Sequence, residues 1–385
     1  MPDKRSLNIL LIGNYLLDGQ ESMLRFADSL KQGLEAAGHR VELLQPPAAL
    51  GRLAAHPSLK KWLGYVDKYL IFPGILRRAK RGADVIHICD HSNAMYGRWL
   101  RGKPWIITCN DLLAVRSALG EFPENPTRRT GRLLQKWILS SLRQAPHIAC
   151  ISAATQADVL RLTGLSQERT SIVHMDLNFP FARREPTEWQ PVLAKLFKSA
   201  GIGASQPYIF HVGGNQWYKN RLGVVAIFSA LVRVEAFASF KLVLAGKALP
   251  PELALFVSEH QLGLKVISLE NVTGPELEAL YHGAECLLFP SLAEGFGWPV
   301  IEAQACGCPV VTSDRPPLTE IGGEGAAYAM PTSIDQVTNV LSLVLQESLE
   351  AQKHRRDRGL RNATRFASGH MIEMYMRLYH NVCSL

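Results

Sequence analysis

Short apolar runs of strand length recur along both halves of this chain, each followed by a longer stretch whose apolar residues recur at helical spacing. In the first half the runs are 8–12, 40–44, 85–88, 105–108 and 147–151; in the second they are 208–212, 241–245, 266–268, 286–289 and 309–312. Alternation of this kind predicts βα units, in which parallel strands are joined by helices packed on the sheet faces. A chain of 385 residues is too long for one ordinary core. The pattern therefore predicts two α/β Rossmann-like domains, over 1–180 and 207–365, joined by a proline- and charge-rich linker over 181–206 that includes a small helix. A final helical stretch covers 366–385. No internal repeat or low-complexity tract interrupts this order.

The second half carries one segment with a distinct chemical design, running from Phe289-Pro-Ser through Glu294-Gly-Phe-Gly-Trp-Pro-Val-Ile-Glu302 to Cys308-Pro-Val-Val. Pro299 suits the first turn of a helix and Gly307 its end, so a short helix is expected between them. The amino end of that helix opens on the loop Gly295-Phe296-Gly297. Unpaired N–H groups and the positive end of the helix dipole favour a phosphate there, and glycine lets a ligand approach the main chain. Glu302, one turn in, leans back toward the same end. A carboxylate on each side of a phosphate site, each able to accept hydrogen bonds from vicinal hydroxyls, implies a nucleotide-sugar. An isolated pair of glutamates at this spacing is more often solvated surface, so the flanking residues decide.

Those flanking residues, with Ala303 directly after Glu302, then Ala-Cys-Gly-Cys-Pro-Val-Val-Thr-Ser and Leu-Thr-Glu-Ile, make the segment from Leu287 to Pro331 resemble the Glu-x7-Glu region of the retaining family-4 (group 1) glycosyltransferases. The resemblance implies the GT-B architecture: two Rossmann-like domains facing across a cleft, with the C-terminal helix crossing back to the first domain. It implies that Glu294 contacts the transferred sugar and Glu302 the ribose. The mechanism it implies is transfer on one face of the sugar, with the departing diphosphate taking the acceptor's proton and no protein nucleophile. No Asp-x-Asp occurs in the chain, so neither a metal nor another cofactor is expected beyond the donor, read as UDP- or GDP-linked. Two rivals stand beside this reading: a non-catalytic partner subunit of the same fold, and a nucleotide-sugar hydrolase or epimerase.

A second constellation, Val212-Gly-Gly-Asn-Gln-Trp-Tyr-Lys-Asn-Arg221, opens the second domain. Gly213 and Gly214 expose main-chain N–H groups and Lys219 supplies a point charge to the same anion. The resemblance assigns to this loop an arginine and a lysine on the donor diphosphate. Lys219 matches the lysine, Asn215 stands roughly where the arginine is expected, and Arg221 or Lys247 are the candidates to replace it. In the first domain, Asp18 and Gly19 lie in the loop after the first strand, where open α/β sheets bind ligands. Thr108-Cys-Asn-Asp111 departs from the family's Thr-x-His-Asp, so Asn110 takes the place of a histidine near the transferred sugar, beside Asp111. His91 is a candidate neighbour of the acceptor, with a structural role the commoner fate of an isolated histidine. His211, inside an apolar strand, reads as core.

Charge is divided unevenly. Residues 1–180 carry 24 Lys and Arg against 15 Asp and Glu, net +9, while 181–385 carry 18 against 19, net −1. The densest basic part, residues 60–81, interleaves cations with aromatic and aliphatic residues. Such a segment can meet an anionic membrane or a glycan or lipid-linked acceptor; the plainer alternative is a pair of amphipathic helices with solvated lysines. Nucleic acid is not an expected partner, since no recognition motif accompanies the charge. The start of the chain, Met-Pro-Asp-Lys-Arg-Ser followed by strand 8–12, lacks a cleavage pattern, and no apolar run reaches the ~18 residues that span a bilayer. Seven scattered cysteines, in mostly apolar surroundings, read as buried reduced thiols. Together these features predict a cytoplasmic protein, peripheral to the inner face of the membrane if it meets one.

Overall fold

The computed structural model describes residues 6–53, 56–203 and 206–384, so the first five residues, read above for a leader, lie outside the described part. The chain divides into two compact units. One comprises the described residues up to Asn178 together with those from Gly369 on; the other runs from Phe179 to Ser368. The stretch expected as a linker carries a helix, Pro186–Ser199, and groups with the second unit. A capping box explains its start: Glu185 and Glu188 each satisfy the other's backbone N–H.

The first unit is built on a six-stranded sheet: β1 Asn8–Ile12, β2 Arg40–Leu44, β3 Val85–Ile88, β4 Trp105–Cys109, β5 Ile148–Cys150 and β6 Thr170–Ile172. Its order is β2-β1-β3-β4-β5-β6, with every pairing parallel. The second unit repeats the plan with β7 Tyr208–Gly213, β8 Lys241–Gly246, β9 Val266–Glu270, β10 Cys286–Phe289, β11 Val310–Ser313 and β12 Ala326–Ala329, in the order β12-β11-β10-β7-β8-β9. Each sheet thus reverses direction once, at β1/β3 in the first and β7/β10 in the second. The ten expected strands are all present. The additional ones, β6 and β12, each complete a sheet edge.

The central strands are buried on both faces, so they consist almost wholly of Val, Ile, Leu, Phe and Cys. Polar side chains inside them must find partners. In the first unit His87 on β3 and Thr108 on β4 do so with the final helix, His370–Ser384. His87 Nδ1 pairs with the Tyr379 hydroxyl at 2.7 Å, and its Nε2 with Thr108 Oγ1 at 2.7 Å. Thr108 Oγ1 also pairs with the Tyr375 hydroxyl, at 2.7 Å. Burial lowers the His87 pKa to about 3, so the ring is neutral in this chain of bonds. The same helix is capped from the first unit, where Asp176 accepts from Gly369 N at 2.7 Å and Met371 N at 2.9 Å. The C-terminal segment is therefore an integral part of the first unit.

The basic segment over 60–81 is helical throughout, as Pro57–Val66, a wider π-type turn Asp67–Ile71, and Phe72–Ala79. Asp67 anchors it from inside, accepting from the Tyr15 hydroxyl at 2.7 Å and from Leu50 N and Gly51 N at 2.9 Å. Lys68 pairs with Asp18 at 2.9 Å and lies over the rings of Tyr15 and Tyr65. Its outer side leaves Leu59, Trp62, Leu70 and Ile75 exposed among exposed Lys60, Lys61, Arg77, Arg78 and Arg81. No helix among the described residues is long and apolar enough to cross a membrane.

Tyr379→Phe should leave His87 Nδ1 unpartnered in a dry interior and cost about 1–3 kcal/mol of stability. Denaturant unfolding of this variant beside Tyr15→Phe, which strips one donor from Asp67, will show whether the C-terminal helix is held as tightly as these bonds require.

Candidate functional site

In the second unit the loops that leave β7 and β10 meet at the point where strand order reverses, which is where open α/β sheets bind ligands. The β7 loop runs through Gly213 and Gly214 into a turn, Trp217–Lys219, and then into the helix Arg221–Leu231. Asn220 adopts a left-handed conformation, φ 54°, and its side-chain Nδ2 donates to Pro290 O at 2.9 Å and Pro331 O at 3.2 Å. Leu292 N donates to Tyr218 O at 2.8 Å, so the two loops are stitched together by main chain as well.

This stitching brings Lys219 against Glu294, with Nζ donating to Oε1 at 2.7 Å. Both side chains are mostly withdrawn from water, at 17% and 7% exposure. The ammonium also lies 5.0 Å from the centre of the Phe289 ring. The helix Trp298–Ala305 follows, beginning at the expected place, with Pro299 in its first turn and Gly307 left-handed just beyond its end. Gly297 has φ 111°, and a Cβ there would stand 2.5 Å from Leu318 Cδ2, so this position admits only glycine. Glu302 is 4% exposed and accepts a hydrogen bond from the Tyr281 hydroxyl at 2.8 Å. Burial, then the carboxylate beside it, drives the Tyr281 pKa far up, so the phenol keeps its proton and acts as donor.

Asn215 does not supply a cation. Its Nδ2 donates to Ala248 O at 2.9 Å, and its Oδ1 accepts from Arg221 Nη1, which also reaches Lys247 O at 2.9 Å. Lys247 thus enters this network through its carbonyl. His211 is fully buried as expected; its Nδ1 pairs with Leu288 O at 2.9 Å and burial lowers its pKa to about 3.

The first unit gathers its polar residues around one carboxylate that motif reading passed over. Asp90, at the end of β3, is 2% exposed. It accepts from Asn14 Nδ2 at 2.8 Å, from Asn110 Nδ2 at 3.2 Å and from Ser92 Oγ, and His91 Nδ1 lies 3.0 Å away. Burial opposes charge on Asp90, but His91 and these donors hold its carboxyl well below the usual range. His91 is buried too, yet Asp90 and then Asp111 keep its pKa above the ordinary value. Asn110 and His91 therefore converge, at the switch point between β1 and β3. Asp111 serves the start of the helix Leu113–Leu119, accepting from Leu113 N at 3.0 Å, while Asp18 pairs with Lys68 and Gly19 ends a short turn at φ 65°. The signal for Asp90 lay in its place, immediately after a buried strand at the sheet's reversal.

One group among the described residues has metal-ligand character: Glu278, His282 and Cys306, whose ligand atoms lie within 4.8 Å of one another. Glu278 Oε1 already takes Ala182 N and Arg184 Nε, and His282 Nε2 pairs with Ala182 O.

Both halves of the chain match known proteins. The family model for group 1 glycosyl transferases matches residues 194–362, and that for family 4 glycosyltransferases matches residues 23–175. The chain belongs to the group 1, family 4 glycosyltransferases. O-antigen chain mannosyltransferase B of Escherichia coli is 27% identical over 227 residues, 58% of this chain and 58% of that protein. MMP alpha-(1->4)-mannosyltransferase of Mycolicibacterium hassiacum is 28% identical over 217 residues, 55% of this chain and 48% of the relative. The chain thus spans about half the length of the curated relatives it matches. Among solved structures, the sucrose-phosphate synthase of Thermosynechococcus elongatus superposes with a TM-score of 0.77 at 20% identity, covering 99% of this chain and 100% of that one. Anabaena HepE in complex with UDP and glucose gives 0.70 at 17% identity, covering 98% and 100%. The fold is that of the GT-B glycosyltransferases.

Because the folded-state pKa of His91 is raised, its pairing with Asp90 contributes stability in full below its unfolded value, ~6.5, and loses it as pH rises through the folded value. Thermal melts of His91→Gln against the parent should accordingly show the larger gap at pH 5.5 and a smaller one at pH 9. A gap independent of pH would mean that His91 is not charged in the folded state.

Proposed function

We propose that this glycosyltransferase moves a hexose from a UDP- or GDP-linked donor to a hydroxyl of a glycan or lipid-linked acceptor, with retention at the transferred carbon and without a metal. The observation that carries this reading is the convergence of Lys219 and Glu294 at the reversal of the second sheet, one short helix away from the buried Glu302. The names of the mannosyltransferase relatives support a hexose, and the neighbour solved with UDP and glucose supports a nucleotide-sugar.

In this reading Lys219 and the N–H groups at the start of the helix Trp298–Ala305 neutralise the departing diphosphate. Glu294 orients sugar hydroxyls and Glu302 holds the ribose, its own place fixed by Tyr281. The bond from the sugar carbon to the phosphate oxygen breaks while the bond to the acceptor oxygen forms on the same face. The acceptor's proton passes to a phosphate oxygen. No protein nucleophile is needed, unlike the scheme of two-carboxylate retaining glycosidases. Asp18, Gly19, His91, Asn110 and Asp111 serve the acceptor side, with Asp90 holding His91 and Asn110 in place. The protein approaches an anionic membrane through the exposed apolar and basic side of residues 60–81.

Thermal stabilisation of the purified chain by UDP, GDP, ADP and dTDP tests the donor site directly, because a ligand that binds only the folded state raises its melting temperature. One nucleotide should stabilise the parent, and the shift should shrink in Glu302→Ala; no shift with any of them would overturn the reading. With the donor known, Glu294→Gln should lower kcat by about a hundredfold or more, since it keeps the shape and removes the charge next to Lys219. For the membrane contact, sedimentation with vesicles of phosphatidylglycerol should carry the parent down, phosphatidylcholine should not, and Trp62→Asp with Leu70→Asp should leave the protein in the supernatant with either.

A further inference from the structure

Two helices of the second unit, Gly274–Gly283 and Trp298–Ala305, come to their carboxyl ends at the same place. His282 lies in the last turn of the first and Cys306 directly after the second. Their ligand atoms and that of Glu278 lie within 4.8 Å of one another. Glu278 stands one turn before His282, so both share a helix face. Carbonyls without helical partners and the negative dipole end of each helix make this a place that favours a cation.

Each side chain is prepared as a ligand. Glu278 Oε1 accepts from Ala182 N at 3.1 Å and Arg184 Nε at 3.2 Å, which fixes the carboxylate and leaves Oε2 to coordinate. His282 is stacked on Trp189, and its Nε2 pairs with Ala182 O at 3.0 Å. Burial lowers its pKa, so the ring is neutral; with the Nε2 proton given to that carbonyl, Nδ1 holds the lone pair. A backbone carbonyl on the other ring nitrogen is the usual second partner of a metal-bound histidine. Cys306 is 4% exposed. Among the described residues its thiol makes no hydrogen bond, whereas the buried Cys89, Cys109, Cys286 and Cys308 each give theirs to a carbonyl. Burial, and after it the Glu278 carboxylate, push this thiol well up, an effect that a cation between the two groups reverses. Ligand atoms around a tetrahedral zinc stand about 3.5 Å apart, so modest side-chain rotations close the cluster.

We propose that Glu278, His282 and Cys306 bind one zinc ion, with water in the fourth position, and that this ion is a structural tie between the helix that carries Glu302 and the helix that carries Tyr281. Thiolate, imidazole and carboxylate together suit a borderline cation such as zinc and not magnesium or calcium. The Cys306 proton passes to solvent as the sulfur–zinc bond forms. Tyr281 directly precedes His282, and Glu302 lies one turn before Cys306, so the ion clamps the same two helices that the Tyr281–Glu302 bond joins at 2.8 Å. It sits at the carboxyl end of the Trp298–Ala305 helix, about 12 Å by helical rise from the amino end that opens on Gly297, and takes no part in the transfer step. The inference does not depend on the nucleotide-sugar reading.

Titration of the chelator-treated full chain with Co2+, which reports a thiolate ligand by a near-ultraviolet charge-transfer band, tests the site, and melting with Zn2+ or Mg2+ tests the tie. The parent should bind a single Co2+ with that band, lose the band to Zn2+, and melt higher with Zn2+ than with Mg2+. Cys306→Ser should lose the band. Glu278→Gln and His282→Gln should bind Co2+ at least about tenfold more weakly. Cys308→Ser and Cys383→Ser, whose sulfurs lie outside the cluster, should behave as the parent, and a cooperative melt without metal shows that a variant is folded. No thiolate band in the parent, a band that survives in Cys306→Ser, or affinity within about twofold of the parent in both Glu278→Gln and His282→Gln would overturn the site. Equal melting temperatures with Zn2+ and Mg2+ would overturn its role as a tie.

Discussion

A parallel strand buried on both faces can present chemistry only where it ends. That constraint organises both units, because their sheets are wholly parallel and their central strands carry no solvent-facing side. Every candidate residue follows from it. Lys219 comes after β7 and Glu294 after β10; Asn14 comes after β1, Asp90 after β3 and Asn110 after β4. Polar groups that remain inside the strands are the exceptions that need partners, and His87 and Thr108 obtain theirs from the C-terminal helix. The same rule that sends reactive groups to the strand ends therefore explains why a segment nearly 300 residues downstream of β3 belongs to the first unit: the His87–Tyr379 pair spans 292 residues of sequence.

The two polar centres differ in how they are held. In the second unit a cation and a carboxylate face each other with their opposite charges satisfied. In the first, a single buried carboxylate orients amides, a hydroxyl and an imidazole. Asp90 is acceptor only when ionised, so the amide nitrogens of Asn14 and Asn110 turn toward it. The Asn110 oxygen then faces away, and it has no partner. An amide oxygen in that state can only accept, and it is closed to solvent.

Strand positions were legible because a run such as Cys286-Leu-Leu-Phe289 has no other way to be buried. β6 and β12 were not, since Thr170–Ile172 is three residues long and Ala326–Ala329 is mostly alanine; an edge strand needs little apolar surface and leaves little pattern. The Glu294–Glu302 segment was legible through its prolines and glycines, each demanded by a backbone feature that the fold contains. Asp90 was not, because a lone acidic residue after a strand looks like any solvated loop carboxylate until tertiary structure removes its water.

The departures from the family pattern belong to the same argument. Arg221 stands in the first turn of its helix, with Nη1 gripped by two carbonyls and the Asn215 amide oxygen. A side chain held in this way has little conformational freedom left to lose. Asn215 and Asn110 then have one physical character. Each is an amide that cannot carry charge, and each takes its direction from a neighbour that can: Arg221 for the first, Asp90 for the second. At both positions the charge sits on a buried neighbour, where a low local dielectric strengthens the hydrogen bond to the amide.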